Sequence, residues 1–414
     1  MCIRDRFTTP RGATSTSMAS CRAVANPASE RARTDTASHF DVRMLFPSPF
    51  CHEPGPLTRT RARPLSLLPI SATVSDMVPR PSSSPADLLA DPGVLEAVPT
   101  LEVFGDAAVA ETGGIAVLPQ RGRWLRAREA GFEAVGWFDD STRGPYRQAV
   151  VHLQKGRAAT EEALAEAWDR IASGGRLLLV GGNDLGIKSA VKRLAGVLGV
   201  PAEIAANRAR ARVACWRREG ESALVRPVVE PVRVTTDGDH FELRSAPGVF
   251  SADAVDPGTA LLLEHLDHLD PPTTIFDPGC GLGVLGLSAL RRWPESRALL
   301  ADVDHRAVAC AAGSAADLGL EDRAVTSWWD ATRDPAPSIT CDLALVNPPF
   351  HSGVPVDLQP ARAIFKVLAT ILDRGGRALI VANRTLPWER DLGEIGALTR
   401  LADARGYKIL EVRR

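Results

Sequence analysis

Thr274-Ile275-Phe276-Asp277-Pro278-Gly279-Cys280-Gly281-Leu282-Gly283 runs from an apolar strand through an acid into a glycine-rich loop, and Val284 to Arg292 behind it has a helical pattern. Glycines at such a place let the backbone pass close to a ligand, and the helix N-terminus behind them favours polar or negative groups. A strand, glycine loop and helix in that order belong to an α/β fold with a parallel sheet. The glycine spacing alone is shared with dinucleotide enzymes. Asp277 separates the cases. A pyrophosphate gains nothing from a carboxylate at the strand end, whereas a ligand bearing an ammonium and a sulfonium does. Asp277, Gly279, Cys280, Gly281 and Gly283 are therefore candidate cofactor contacts.

Working outward, Ala298 to Asp302 reads as the next strand, and its terminal acid can accept both hydroxyls of a ribose. Asp304 is placed to cap the helix that starts at His305. Asp330 follows Ser327-Trp328-Trp329, where a third strand should end; it either meets an adenine amine or is a plain loop acid. Leu343-Ala344-Leu345-Val346 is a further strand, and Asn347-Pro348-Pro349-Phe350 follows it at once. Proline removes a ladder donor and pushes its predecessor extended, so two prolines here make a rigid exit. That rigidity fixes the Asn347 side-chain oxygen and the Pro348 carbonyl beside an aromatic face. Two acceptors next to a flat apolar surface suit a planar substrate with an NH2 group. Pro360 to Leu372 is helical, and Arg377 to Val381 is a strand.

Strand-like and helix-like segments also alternate upstream, from about residue 85. Gly114 to Leu118, Ala134 to Phe138 and Gln148 to Leu153 read as strands. Thr160 to Ala172 reads as a helix capped by Thr160, Gly174 to Val180 as a strand, and Ile187 to Leu198 as a helix. Ser173 to Asn183 parallels Arg374 to Arg384, each a Gly-Gly turn into an apolar strand. Following that parallel back, His152-Leu153-Gln154-Lys155 stands where the later copy has Asn347-Pro348-Pro349-Phe350. The pattern predicts a duplicated domain whose chemistry survives only in the second copy. The plainer reading is that any two α/β domains share such turns. The expected divisions are 1–76, 77–230 and 231–414.

The chain has 414 residues and a formal net charge of -1, so any nucleic-acid contact must come from local patches. Arg121 to Arg128 and Arg208 to Arg218, with Trp124 and Trp216 interleaved, are candidate patches; solvated faces with core tryptophans are the alternative. Seven cysteines without a CxxC pair point to a reducing compartment, with no disulfide framework and no zinc site. No apolar run approaches the roughly 20 residues of a membrane span. A cytoplasmic monomer is expected. Residues 1–76 are rich in Arg, Ser, Thr and Pro without periodicity, which reads as disorder, a transit peptide or upstream sequence ahead of a start at Met77.

The order of an acid before alternating glycines, an acid after the second strand, and Asn-Pro-Pro-Phe after the fourth resembles class I S-adenosylmethionine-dependent methyltransferases. Pro247 to Ser251, Asp256-Pro257-Gly258-Thr259-Ala260-Leu261-Leu262, Asn347 to His351 and Val381 to Pro387 narrow the resemblance to ribosomal-RNA guanine-N2 methyltransferases. It covers about residues 85–414, with Pro278 departing from the valine common at that place. It implies two tandem Rossmann-like methyltransferase domains, each a mostly parallel seven-stranded sheet with helices on both faces, the first degenerate. It also implies S-adenosyl-L-methionine as cofactor, held by Asp277, Gly279, Cys280, Gly281, Gly283, Asp302, Asp330, Asn347, Gly258 and Thr259. Asn347, Pro348, Pro349 and Phe350 are the implied catalytic set, and ribosomal RNA or a ribosomal subunit the implied partner. Two other functions fit the motifs: methylation of a protein glutamine amide or small amine, and a non-catalytic RNA-binding assembly factor. Intact residues at Asp277 to Gly283 and at Asn347 argue against the second.

Overall fold

The computed structural model describes residues 84–220, 223–236, 238–349 and 357–414. The leader 1–76, Met77, Phe350 and His351 lie outside them. Two seven-stranded sheets follow one another along the chain. The first contains β1 (Thr100–Val103), β2 (Gly114–Val117), β3 (Glu133–Val135), β4 (Tyr146–His152), β5 (Ile171–Gly182), β6 (Glu203–Arg208) and β7 (Ala211–Arg217). Its helices are α1 (Ala108–Thr112), α2 (Arg121–Glu129), α3 (Arg157–Asp169) and α4 (Ile187–Leu198). A hairpin of β8 (Val232–Thr236) and β9 (Asp239–Leu243), then α5 (Pro257–Leu263), lead into the second sheet. That sheet contains β10 (Thr274–Pro278), β11 (Arg297–Asp302), β12 (Ala324–Trp328), β13 (Cys341–Val346), β14 (Leu372–Asn383), β15 (Ala397–Ala404) and β16 (Tyr407–Arg413). Its helices are α6 (Val284–Arg292), α7 (His305–Asp317), α8 (Gln359–Ile371) and α9 (Trp388–Gly393).

Strand order is β3-β2-β1-β4-β5-β7-β6 in the first sheet and β12-β11-β10-β13-β14-β16-β15 in the second. The order is the same in both. Only β7 and β16 run antiparallel to the other strands of their sheets. The likeness extends to single bonds. Arg218 N donates to Gly175 O as Arg414 N does to Gly376 O, and Asn183 N to Arg210 O as Arg384 N does to Gly406 O. Register shifts fall at matching places, Tyr146/Gln148 and Cys341/Leu343. Such irregularities are built features of a strand, so their repetition supports a duplication beyond common topology. The central strands β10 and β13 are buried on both faces: Ile275, Leu343 and Leu345 enter one core, Phe276, Ala344 and Val346 the other. Near-continuous apolar runs follow from that double burial.

Two expected elements shift and one strand goes unforeseen. The helix expected from Thr160 begins at Arg157 behind the uncapped Gly156, because the Thr160 hydroxyl instead accepts from Gln154 N at 3.0 Å. The strand expected to reach Phe138 stops at Val135. β1 was not expected at all, since a buried Glu102 interrupts its apolar pattern.

The strand registers make Val117 the counterpart of Ala301, and hence Pro119, Gln120 and Arg121 the counterparts of Val303, Asp304 and His305. These loops dock on each other. Arg121 N donates to Val303 O at 2.8 Å, and His305 N donates to Pro119 O at 2.9 Å. Between them Gln120 and Asp304 form an antiparallel bridge. Each contact recurs with both of its residues replaced by their counterparts, which is the contact pattern of a two-fold pair. Around this centre Arg121 pairs with Asp334 through two bonds of 3.1 and 3.0 Å, and Trp124 packs against Trp328 at 5.2 Å.

Candidate active site

β10 and β13 are neighbours in the sheet, so the glycine loop and the Asn347-Pro348 exit emerge side by side. Gly279, Gly281 and Gly283 all have positive φ, a backbone state open to glycine at little cost. A Cβ on Gly279 would stand 3.9 Å from Asn347 O, which measures how closely the two motifs approach. Asp277, Gly279, Cys280, Gly281, Asn347, Asp256, Thr259 and Phe250 line one cleft. Phe250 is 62% exposed at its mouth.

Asp277 is only 1% exposed, and one carboxylate oxygen accepts from Gly286 N at 2.9 Å. Burial pushes its carboxyl up to about 7, and the charge of Asp302 adds to the effect. A buried acid with one donor is poorly compensated, and a cationic group in the cleft would restore its charge. Asp302 ends β11 as expected. Its two oxygens accept from Gly281 N and Asp304 N, both at 2.8 Å, and burial raises its carboxyl to about 6. Asp302 therefore ties the glycine loop to the next strand. Asp304 caps α7 as expected, accepting from Arg306 N.

Asn347 stands at the exit of β13. Its Nδ2 donates to Thr259 Oγ1 at 2.9 Å and to Asp256 Oδ2 at 3.2 Å. Asp256 Oδ2 also accepts from Thr259 N at 2.9 Å as the N-cap of α5. Pro348 is buried and Pro349 exposed; Phe350 is outside the described residues. Gly258 is packed between Asp256 and Tyr407, behind the residues that line the cleft. Asp330 stands apart from them too. Its Oδ1 accepts from Thr332 N at 2.8 Å, and its Oδ2 abuts Gly122 of the first domain.

The arginine patches expected to face RNA are partly used internally. Arg121 and Trp124 belong to the domain contact, and the Trp124 indole donates to Ala134 O. Arg208 pairs with Asp91, and Trp216 is a core residue.

The first domain shows what became of the same site. By register, Glu102 stands where Asp277 does, Phe104 where Gly279 does, and His152 where Asn347 does. Phe104 even keeps a left-handed φ of 68°. His152 Nε2 meets Glu102 Oε1 at 2.7 Å, and Glu102 also accepts from Ala107 N, Ala108 N and Val109 N. Burial would raise the Glu102 carboxyl, but His152 and the backbone donors outweigh it and hold the group below its usual value. A Cβ on Gly105 would lie 1.9 Å from His152 Nε2. The imidazole fills the space, and the counterpart cleft is closed.

The family model of the methyltransferase small domain matches residues 240–411. A ribosomal RNA small subunit methyltransferase C of Pseudomonas fluorescens is 35% identical over 299 residues, covering 70% of this chain and 86% of the relative. That of Pseudomonas putida strain W619 is 33% identical over 348 residues, covering 80% and 97%. The chain belongs to the ribosomal RNA small subunit methyltransferase C family. A solved member, the 16S rRNA N2 G1207 methyltransferase of T. thermophilus in complex with AdoMet and guanosine, superposes with a TM-score of 0.70 at 25% identity, over 80% of this chain and 91% of its own. Family membership thus embraces both domains, and the similarity to methyltransferase C enzymes extends across the closed site as well as the open one.

Proposed function

We propose that this chain methylates the exocyclic N2 of a guanine in small-subunit ribosomal RNA, using S-adenosylmethionine, at one site per chain in residues 231–414. The observation that carries this reading is the pairing in one cleft of an under-compensated Asp277 with an Asn347 amide whose donors are already engaged. The first suits a cationic cofactor and the second an amine substrate. Asp277, the glycines of 279–283 and Asp302 would hold the cofactor. When bound, S-adenosylmethionine supplies a sulfonium-activated methyl group.

The residues of the chain supply position. A guanine N2 lone pair is delocalised into the ring and is a poor nucleophile. Asn347 Oδ1 and the Pro348 carbonyl accept its two N–H groups and turn the lone pair out of the ring plane. Alignment of this kind contributes roughly 7–11 kcal/mol towards a displacement, so the design rests on geometry more than on a strong base. The base must leave its stack to reach the cleft, and the exposed Phe250 at the mouth offers it aromatic surface. The first domain serves as a scaffold: its Pro119 to Arg121 loop braces Val303 to His305, next to Asp302.

Incubation with labelled S-adenosylmethionine and small ribosomal subunits, followed by mapping of modified nucleotides, should place label on a guanine N2. Asn347→Ala should abolish transfer with cofactor affinity within about threefold of the parent. Label found in protein instead, as a glutamine amide methylase would give, or no transfer at all, defeats the proposal.

A further inference from the structure

An asparagine amide is two-faced: one side accepts, the other donates twice. Only the accepting side of Asn347 is useful to an incoming amine. Both hydrogens of its Nδ2 are spoken for, one by Asp256 Oδ2 at 3.2 Å and the other by Thr259 Oγ1 at 2.9 Å. An ionised carboxylate accepts and never donates. Rotating the amide by half a turn would set Asn347 Oδ1 against Asp256 Oδ2 and replace an attraction by a repulsion. Thr259 is buried, so water does not readily replace its hydroxyl.

We propose that Asp256, together with Thr259, is a positioning pair that fixes the amide of Asn347 with Oδ1 towards the substrate nitrogen. This rests on the reading that Asn347 receives the target amine. The geometry is built into α5. Asp256 is its N-cap and Pro257 its first residue, a favoured pairing at a helix start. The cap bond to Thr259 N at 2.9 Å holds the same Oδ2 that receives Asn347. Thr259, a turn further on, brings its hydroxyl to the same amide. One short helix start thus carries both acceptors, and neither needs to touch the substrate.

A helix cap alone predicts different behaviour from an amide clamp, and two backgrounds separate them. Glycine is a tolerable N-cap that costs little against Asp, so Asp256→Gly removes the acceptor while largely sparing the helix. With Asn347 in place, Asp256→Gly should lower kcat at saturating cofactor and RNA by about tenfold or more, with cofactor affinity unchanged. In Asn347→Asp the side chain at 347 is a symmetric acceptor that needs no orienting, and Asp256 becomes a repulsive neighbour. Adding Asp256→Gly to Asn347→Asp should therefore raise kcat. Asp256→Asn keeps an oxygen at the cap and should retain most activity.

The sign inversion is the decisive result, because loss of a cap lowers both backgrounds equally. Thr259→Val repeats the test without touching the cap: at saturating cofactor it should lower kcat by a larger factor with Asn347 than in Asn347→Asp, so the proposal stays testable even if Asp256→Gly folds poorly. Parallel losses in both backgrounds, or Asp256→Gly and Thr259→Val within about twofold of the parent, overturn the positioning role and leave the reading of Asn347 standing. Full transfer by Asn347→Ala overturns that reading, and the positioning role with it.

Discussion

Asp277→Asn separates the stability of the free protein from its capacity to hold a cofactor. In the folded chain the Asp277 carboxyl is raised from 3.8 to about 7 by burial. Below pH 3.8 the group is neutral whether the chain is folded or not, and it imposes no penalty. As pH rises, the unfolded chain ionises first, so folding stability falls until the folded carboxyl ionises too near pH 7. Each pH unit between the two values costs about 1.4 kcal/mol. The cofactor-free parent should therefore lose about 2 kcal/mol by pH 5 and about 4 kcal/mol by pH 8 through this one residue. Asparagine can keep the 2.9 Å bond from Gly286 N with no charge to bury. Urea unfolding of both proteins without cofactor should find Asp277→Asn more stable by those amounts, the gap opening between pH 5 and pH 8. Calorimetry on the same samples should show cofactor binding weakened on the order of 10²-fold, about 3 kcal/mol. A parent and variant with parallel pH profiles, or a variant less stable at pH 8, would refute the account of Asp277 as an under-compensated buried acid.

Titration of the intact chain with S-adenosylmethionine should give one bound equivalent, because the His152 imidazole occupies the first domain's counterpart cleft; two equivalents would contradict the closed site. Arg121→Ala strands Asp334 in a nearly buried position across the domain contact, a change that costs about 3–5 kcal/mol for a buried pair. Limited proteolysis should then cut the chain faster in the linker between the two sheets, and an unchanged digestion rate would show that the pair does not hold the domains together.

Much of the second domain could be read from its residues, since Asp277 to Gly283, Asp302 and Asn347 each follow an apolar run whose end is marked by an acid, glycine or proline. The helix starts at Val284 and His305 and the ends of β11 and β13 agree with the expectation. What escaped was anything fixed by a partner distant in sequence. β1 was hidden by Glu102, a charge that makes sense only beside His152, fifty positions on. Thr160 looks like a cap but ties down Gln154 N. Arg121 looks like a nucleic-acid contact but meets Asp334. Asp256 stood in the sequence only as part of a family motif; its cap role and its second bond to Asn347 depend on sheet topology rather than spacing.

The closed site and the domain contact draw on the same residues. In a pair related by a two-fold axis both copies use the same loop after the second strand, so the contact that braces Val303 to His305 must also consume Pro119 to Arg121. Leu118 stands in the first domain where Asp302 stands in the second, so the tie between strand end and glycine loop is lost there. Phe104, at the place of Gly279, puts a ring where a ligand would pass. That ring has been put to use: the Arg306 guanidinium of α7 lies 5.5 Å from Phe104 and 5.0 Å from Trp137. The same guanidinium donates to Asp304 and to Pro247 O, where the loop carrying Phe250 begins. Residues that blocked one cleft thus became the wall against which the other is built. Reopening the first site by changing His152 alone would leave the Phe104 ring committed to this contact, so the space it fills and the support it gives the second domain cannot be separated.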